Sequence, residues 1–119
     1  MRLLILAALN GWNVQEGYAP RYAPGVMEQV ARNRDMPRVS CMISSPKLPL
    51  GSWVYVWGVR SRVLRYCRIT DVSAPRDAQR HIRTGRIVEL GYTAALAICG
   101  AEYINSQSKE CPVIVISEY

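Results

Sequence analysis

The sequence has almost no lysine, one histidine, no closely spaced cysteine pair and no apolar stretch of membrane-spanning length, and each shortage excludes something. Of fifteen basic residues only Lys47 and Lys109 are lysine. Cys41, Cys67, Cys99 and Cys111 include no Cys-x-x-Cys pair, which removes the usual zinc-ribbon and thioredoxin-like spacings. A lone histidine, His81, does not complete a metal site without partners, so no metal or other cofactor is implied. The run Leu3–Leu9 is far shorter than the ~20 apolar residues a membrane-crossing helix needs, so no transmembrane segment is expected. The arginines are scattered from Arg2 to Arg86 and match no zinc-finger, basic-heptad or RNA-binding signature, so nucleic acid is not an expected partner.

What is present describes one folded domain. A chain of 119 residues, half of them hydrophobic and a fifth charged, suits a single core and is too apolar for disorder. The formal charge of +6, carried by arginine, favours acidic polymers and bidentate recognition of carboxylate or phosphate. Four cysteines allow three pairings; their placement points to Cys41–Cys67 between strands and Cys99–Cys111 across a short connection. Bridges persist in oxidising compartments, so a secreted or periplasmic protein is expected. Arg2 followed by Leu3–Leu9 fits a minimal signal peptide; the alternative is a buried strand. Residues 1–22 read as a leader and residues 23–119 as the domain, with the proline-punctuated stretch from Tyr18 to Pro24 leading from one into the other.

Along the domain, Val26, Met27, Val30 and Ala31 recur at helical spacing until Met36-Pro37. The period then becomes two. Strands are expected at Cys41–Ser44, Ser52–Trp57, Val63–Thr70, Ile87–Leu90 and Pro112–Ser117, with a short helix Tyr92–Cys99 closed by Gly100. Val72–Thr84 is polar, contains Pro75 and has no sustained apolar period, so it reads as a long loop, the kind that often carries function.

Three segments carry a resemblance. Leu48-Pro-Leu-Gly-Ser-Trp-Val54, Cys67-Arg-Ile-Thr-Asp71 and Gly85-Arg-Ile-Val-Glu-Leu-Gly-Tyr-Thr-Ala-Ala95 resemble, in order, the signature segments of the rare-lipoprotein-A-like double-psi β-barrel family, related to expansins and barwin-like endoglucanases. The resemblance implies a mainly β fold, a six-stranded double-psi β-barrel with one or two short helices, acting as a monomer on peptidoglycan or another cell-wall polysaccharide. It also implies a lytic transglycosylase-like activity with Asp71 as general acid and base; the alternative is a non-catalytic module that binds glycan or another partner. This chain departs from the pattern: Asp71 is followed by Val72-Ser-Ala-Pro75 instead of Arg-Gly-Pro, and Glu89 stands where an aspartate is usual.

Glycan cleavage needs a carboxylic acid to protonate the leaving oxygen, and hydrolysis commonly needs a second carboxylate. A transglycosylase manages with one, because a hydroxyl of the sugar is the nucleophile. Asp71 is the candidate acid, with Asp77, His81, Glu89 and Arg76 as candidate binding groups around it. Each also has a plainer reading: Asp71 paired with Arg68, Arg76 or Arg86, His81 solvated in the loop, Glu89 paired with an arginine in the barrel wall. Trp53, Tyr55 and Trp57 would either stack on sugars or fill the core. The decisive question is whether an arginine pairs Asp71 directly, which would make that residue structural.

Overall fold

The computed structural model describes residues 11–105 and 110–118. Its elements are β1 (Trp12–Pro20), α1 (Val26–Asn33), β2 (Met42–Ser45), β3 (Trp53–Gly58), β4 (Leu64–Val72), α2 (Pro75–Arg83), β5 (Glu89–Leu90), α3 (Tyr92–Cys99), α4 (Ala101–Asn105) and β6 (Glu110–Glu118). The strands form one mixed sheet in the order β1-β6-β3-β4-β2-β5. Only the β2–β4 pairing is parallel within the ladders. The sheet curls into a half-barrel whose two ends approach each other through isolated bridges, Tyr18 with Arg86 and Arg21 with Leu90.

Alternation along the strands explains the core. Val54 and Val56 of β3, Cys67 and Ile69 of β4, and Val113 and Val115 of β6 all turn inward and are almost fully buried. Ile114 and Ile116 on the other face of β6 are nearly as buried, as the continuous apolar run of that strand implies for an interior position. α3 lies against β3 so closely that a Cβ on Gly58 would stand 2.1 Å from the Ile98 carbonyl oxygen. Gly100 ends α3 with φ +89°, a backbone that side chains resist. A second, smaller core holds α1 to the sheet: Met27 and Ala31 are buried with Met42, and Tyr22, Met36 and Val39 pack around them.

Both expected disulfides are present, Cys41–Cys67 and Cys99–Cys111. The first ties the residue before β2 to β4 in the middle of the core; the second ties the end of α3 to β6. The five expected strands and the helix over Tyr92–Cys99 are all found, within one or two residues for most boundaries, though β5 is limited to Glu89–Leu90.

Three expectations are corrected. Residues 12–20, read as part of a leader, form β1 and pair along their whole length with β6, from Trp12 opposite Glu118 to Pro20 opposite Glu110. The stretch is extended, as Pro20 at its end suggested, but it belongs to the sheet; Leu3–Leu9 lies outside the described residues. The expected loop Val72–Thr84 contains the helix α2. Ala74 precedes it in an extended conformation, Pro75 occupies a first-turn position, Asp77 sits in the first turn and Arg80, His81 and Arg83 in the last, all favourable to a helix end-to-end. With α2 and α4, the described residues contain four helices rather than one or two.

Candidate functional site

A β-bulge builds the site. In the parallel pairing of β2 with β4, Met42 lies opposite Arg68 and Ile43 opposite Ile69, but Ser44 lies opposite Asp71, so Thr70 is the extra residue. Thr70 is fully buried and donates its hydroxyl to Met27 Sδ at 3.2 Å. On its other side Ser44 pairs with Glu89 of β5. The register therefore sets Asp71, Ser44 and Glu89 in a row across β4, β2 and β5.

Two groups from outside this row fasten Asp71. The Tyr22 hydroxyl donates to Asp71 Oδ2 at 2.6 Å, and Arg34 Nη2 donates to Asp71 Oδ1 at 2.7 Å. Tyr22 is held over β5 by its own backbone N–H, which donates to the Leu90 carbonyl at 2.8 Å. Arg34 is the residue that ends α1. Burial, reinforced by the hydrogen bond to Asp71, pushes the Tyr22 phenol well above its ordinary range, so it acts as a donor and keeps its proton. Ser44 Oγ is buried beside this phenol and makes no hydrogen bond of normal geometry.

α2 supplies the opposite wall. His81 is its one buried side chain. Its Nδ1 lies 3.4 Å from Ser73 Oγ and 3.4 Å from Glu89 Oε1. Burial raises the Glu89 carboxyl above its ordinary value; His81 pulls the other way, and the Asp71 carboxylate adds to the rise. Asp77 faces the same space and pairs with Arg80 at 3.2 Å. Together Tyr22, Ser44, Asp71, Asp77, Arg80, His81 and Glu89 line a polar groove of about 340 Å³.

Of the residues singled out from sequence, Asp71, Asp77, His81 and Glu89 thus share one groove, while Arg76 is exposed on α2 and does not line it. Arg68 reaches the Gly51 carbonyl and the Trp53 ring, and Arg86 pairs with Glu110. The arginine on Asp71 is Arg34, which sequence reasoning did not single out. Nor did it find Tyr22, assigned to a leader, or Ser44, whose place depends on the bulge. Among the described residues, no three His, Cys, Asp or Glu side chains are grouped to hold a metal ion.

The aromatic residues on the outer face of β3 and β4 do not form a flat platform. Trp53 stacks on Tyr66 with ring centres 4.9 Å apart, Tyr66 contacts Tyr55 at 4.7 Å, and Arg68 lies over Trp53 at 5.8 Å. These contacts are the cross-strand packing that stabilises a sheet, although Trp53 and Tyr66 remain exposed on their outer sides.

The arrangement combines carboxylates, hydroxyls and an imidazole on the walls of an open polar groove, a set suited to hydrogen-bonding a polyhydroxylated ligand. No protein-family model matches the sequence, and no curated protein aligns with it.

Proposed function

We propose that this protein is an exported module of the double-psi β-barrel type that binds a cell-wall glycan in the groove between β4, β5 and α2. One observation carries the choice of binding over catalysis: both oxygens of Asp71 accept hydrogen bonds, one from Tyr22 and one from Arg34. An aspartate engaged in this way organises the groove, joining the end of α1 to the sheet, while Glu89, His81 and Asp77 face the ligand. The order of the three motif segments supports the family reading, and the curled six-stranded sheet suits it. The two disulfides support export.

A second reading rests on Glu89. A carboxyl raised by burial, next to a second carboxylate in a different environment, is the pattern by which acids are prepared to protonate a glycosidic oxygen. In that case Glu89 and not Asp71 protonates the leaving glycosidic oxygen, and the sugar hydroxyl that attacks the anomeric carbon as that bond breaks gives its own proton to the Glu89 carboxylate. Incubating the purified protein with peptidoglycan sacculi separates the two. Binding of protein to the sacculi without released anhydro-muropeptides, measured by co-sedimentation and mass spectrometry, is the expected result. Release that disappears in Glu89→Gln establishes the enzyme instead, and failure to co-sediment with sacculi or with any wall glycan rejects both.

A further inference from the structure

α2 has an unusual balance for a helix in a small domain. Its ends are fastened through backbone: Ser73 N–H donates to the Ser45 carbonyl at 3.1 Å, and Tyr18 N–H to the Gly85 carbonyl at 2.8 Å. Between these anchors only His81 is buried. On the other side of the helix stand Arg76, Arg80 and Arg83, all exposed. At 3.6 residues per turn they fall within an arc of roughly 60°, centred roughly 130° from His81, and span about 10 Å of helix length. Among the described residues only Arg80 of the three has an ion-pair partner, Asp77.

Like charges three and four residues apart repel and weaken a helix. Here they do so on an element with little packing to offset the loss, a local conflict of the kind that functional surfaces retain. Arg80 also lines the groove, so the arginine row meets the groove at its middle residue, with Arg76 and Arg83 on the exposed surface to either side. Its planar donors suit carboxylate or phosphate.

We infer that Arg76, Arg80 and Arg83 form a docking ridge for the acidic groups of a glycan chain lying along the groove, so that the ligand is an anionic and not a neutral polysaccharide. The inference rests on the glycan-binding reading of the groove and adds the charge of the ligand. The groove takes the sugar hydroxyls through Asp77, His81 and Glu89; the ridge takes the negative charges that project from the chain. Contact with the polymer removes the repulsion between the arginines and firms α2 against the groove.

Two soluble chitin derivatives with the same sugar backbone test it, the acidic carboxymethyl-chitin and the uncharged glycol-chitin, in titrations at low and high salt. The full-length protein is expected to bind the acidic form roughly tenfold or more tightly at low salt, with the difference shrinking as salt rises. Arg76→Gln/Arg83→Gln, which spares the groove-lining Arg80, is expected to erase most of that preference, and Arg76→Lys/Arg83→Lys to restore part of it. A melting curve on both variants confirms that each is folded. Equal affinity of the wild type for the two chitins, or an unchanged preference in the glutamine variant, overturns the ridge while leaving the groove reading intact. Binding to neither polymer, nor to sacculi, rejects the groove reading and this inference with it. Single-stranded DNA of matched charge that binds as tightly as carboxymethyl-chitin also overturns it, since the surface would then be blind to the glycan.

Discussion

Arg34 and Asp71, 37 residues apart in sequence, meet at 2.7 Å and so connect the end of α1 to the end of β4. The Asp71 side chain is 16% exposed and that of Arg34 37%, so water screens the pair in part. With the Tyr22 phenol on the other oxygen, Asp71 is the point where the β1–α1 connection, α1 and the sheet are joined.

Asp71→Asn is therefore expected to lower stability by about 1 kcal/mol, since the amide keeps one acceptor oxygen and presents an NH₂ to one of the two donors. Denaturant unfolding measures it. Tyr22→Phe, which leaves only the Arg34 contact, should cost a comparable amount. If Asp71→Asn leaves the unfolding midpoint unmoved while abolishing muropeptide release, Asp71 is the acid and the binding proposal fails.

Glu89 makes a pH-dependent contribution with a definite sign. Its folded-state carboxyl is raised, chiefly by burial, so the folded chain holds that proton more tightly than the unfolded chain. The associated stability is present in full below the unfolded-state value and is lost as pH rises through the folded-state value. Glu89→Gln should remove this segment of the stability profile, making the variant relatively more stable on the neutral side of that window. Thermal unfolding from acid to neutral pH, wild type against variant, checks the difference in slope.

Both cysteine bridges should be structural. Cys41 and Cys67 are 2% and 0% exposed and the bridge closes 26 residues of sequence, against 12 for Cys99–Cys111. Removing the first, as Cys41→Ala/Cys67→Ala, is expected to cost roughly 2–5 kcal/mol, and removing the second somewhat less. Urea unfolding of each double variant, with peptide mapping of the bridge that remains, gives the ranking.

Gly58→Ala is expected to be among the most damaging small substitutions. The added methyl would collide with the Ile98 carbonyl and with Ser61 Oγ, which already donates to that carbonyl at 2.5 Å. A loss of about 1–3 kcal/mol follows if α3 is forced away from β3, and amide exchange should show the loosening first in α3.

Most of the sheet could be read from the sequence because its strands alternate or run apolar, and burial acts on that pattern directly. Val54 and Val56 on one side of β3, and the apolar run of β6, are examples. The position of Asp71 at the end of a strand was readable for the same reason. α2 was not, because its only buried side chain is His81 and a helix held by one polar anchor leaves no apolar period to detect. Its signals were the proline at the start, an acid in the first turn and bases in the last, which are weaker than a stripe of core residues. β1 was missed because its partner β6 lies at the far end of the sequence and because Pro20 at its end, with Pro24 beyond it, suggests a linker. The Arg34–Asp71 contact depends on the chain path between α1 and β4, which no local pattern encodes.

The pairing of β1 with β6 sets a limit on how this chain can be processed. β1 is the outermost strand on its side of the sheet, and β6 beneath it is a nine-residue strand rich in valine and isoleucine. A peptidase cutting between Trp12 and Pro20 would strip that cover and leave a long, β-branched edge with unsatisfied backbone groups, a ready template for another chain. Any cleavage that preserves this sheet must therefore fall outside β1, and a cut between Trp12 and Pro20 should open β6 to aggregation or strand exchange.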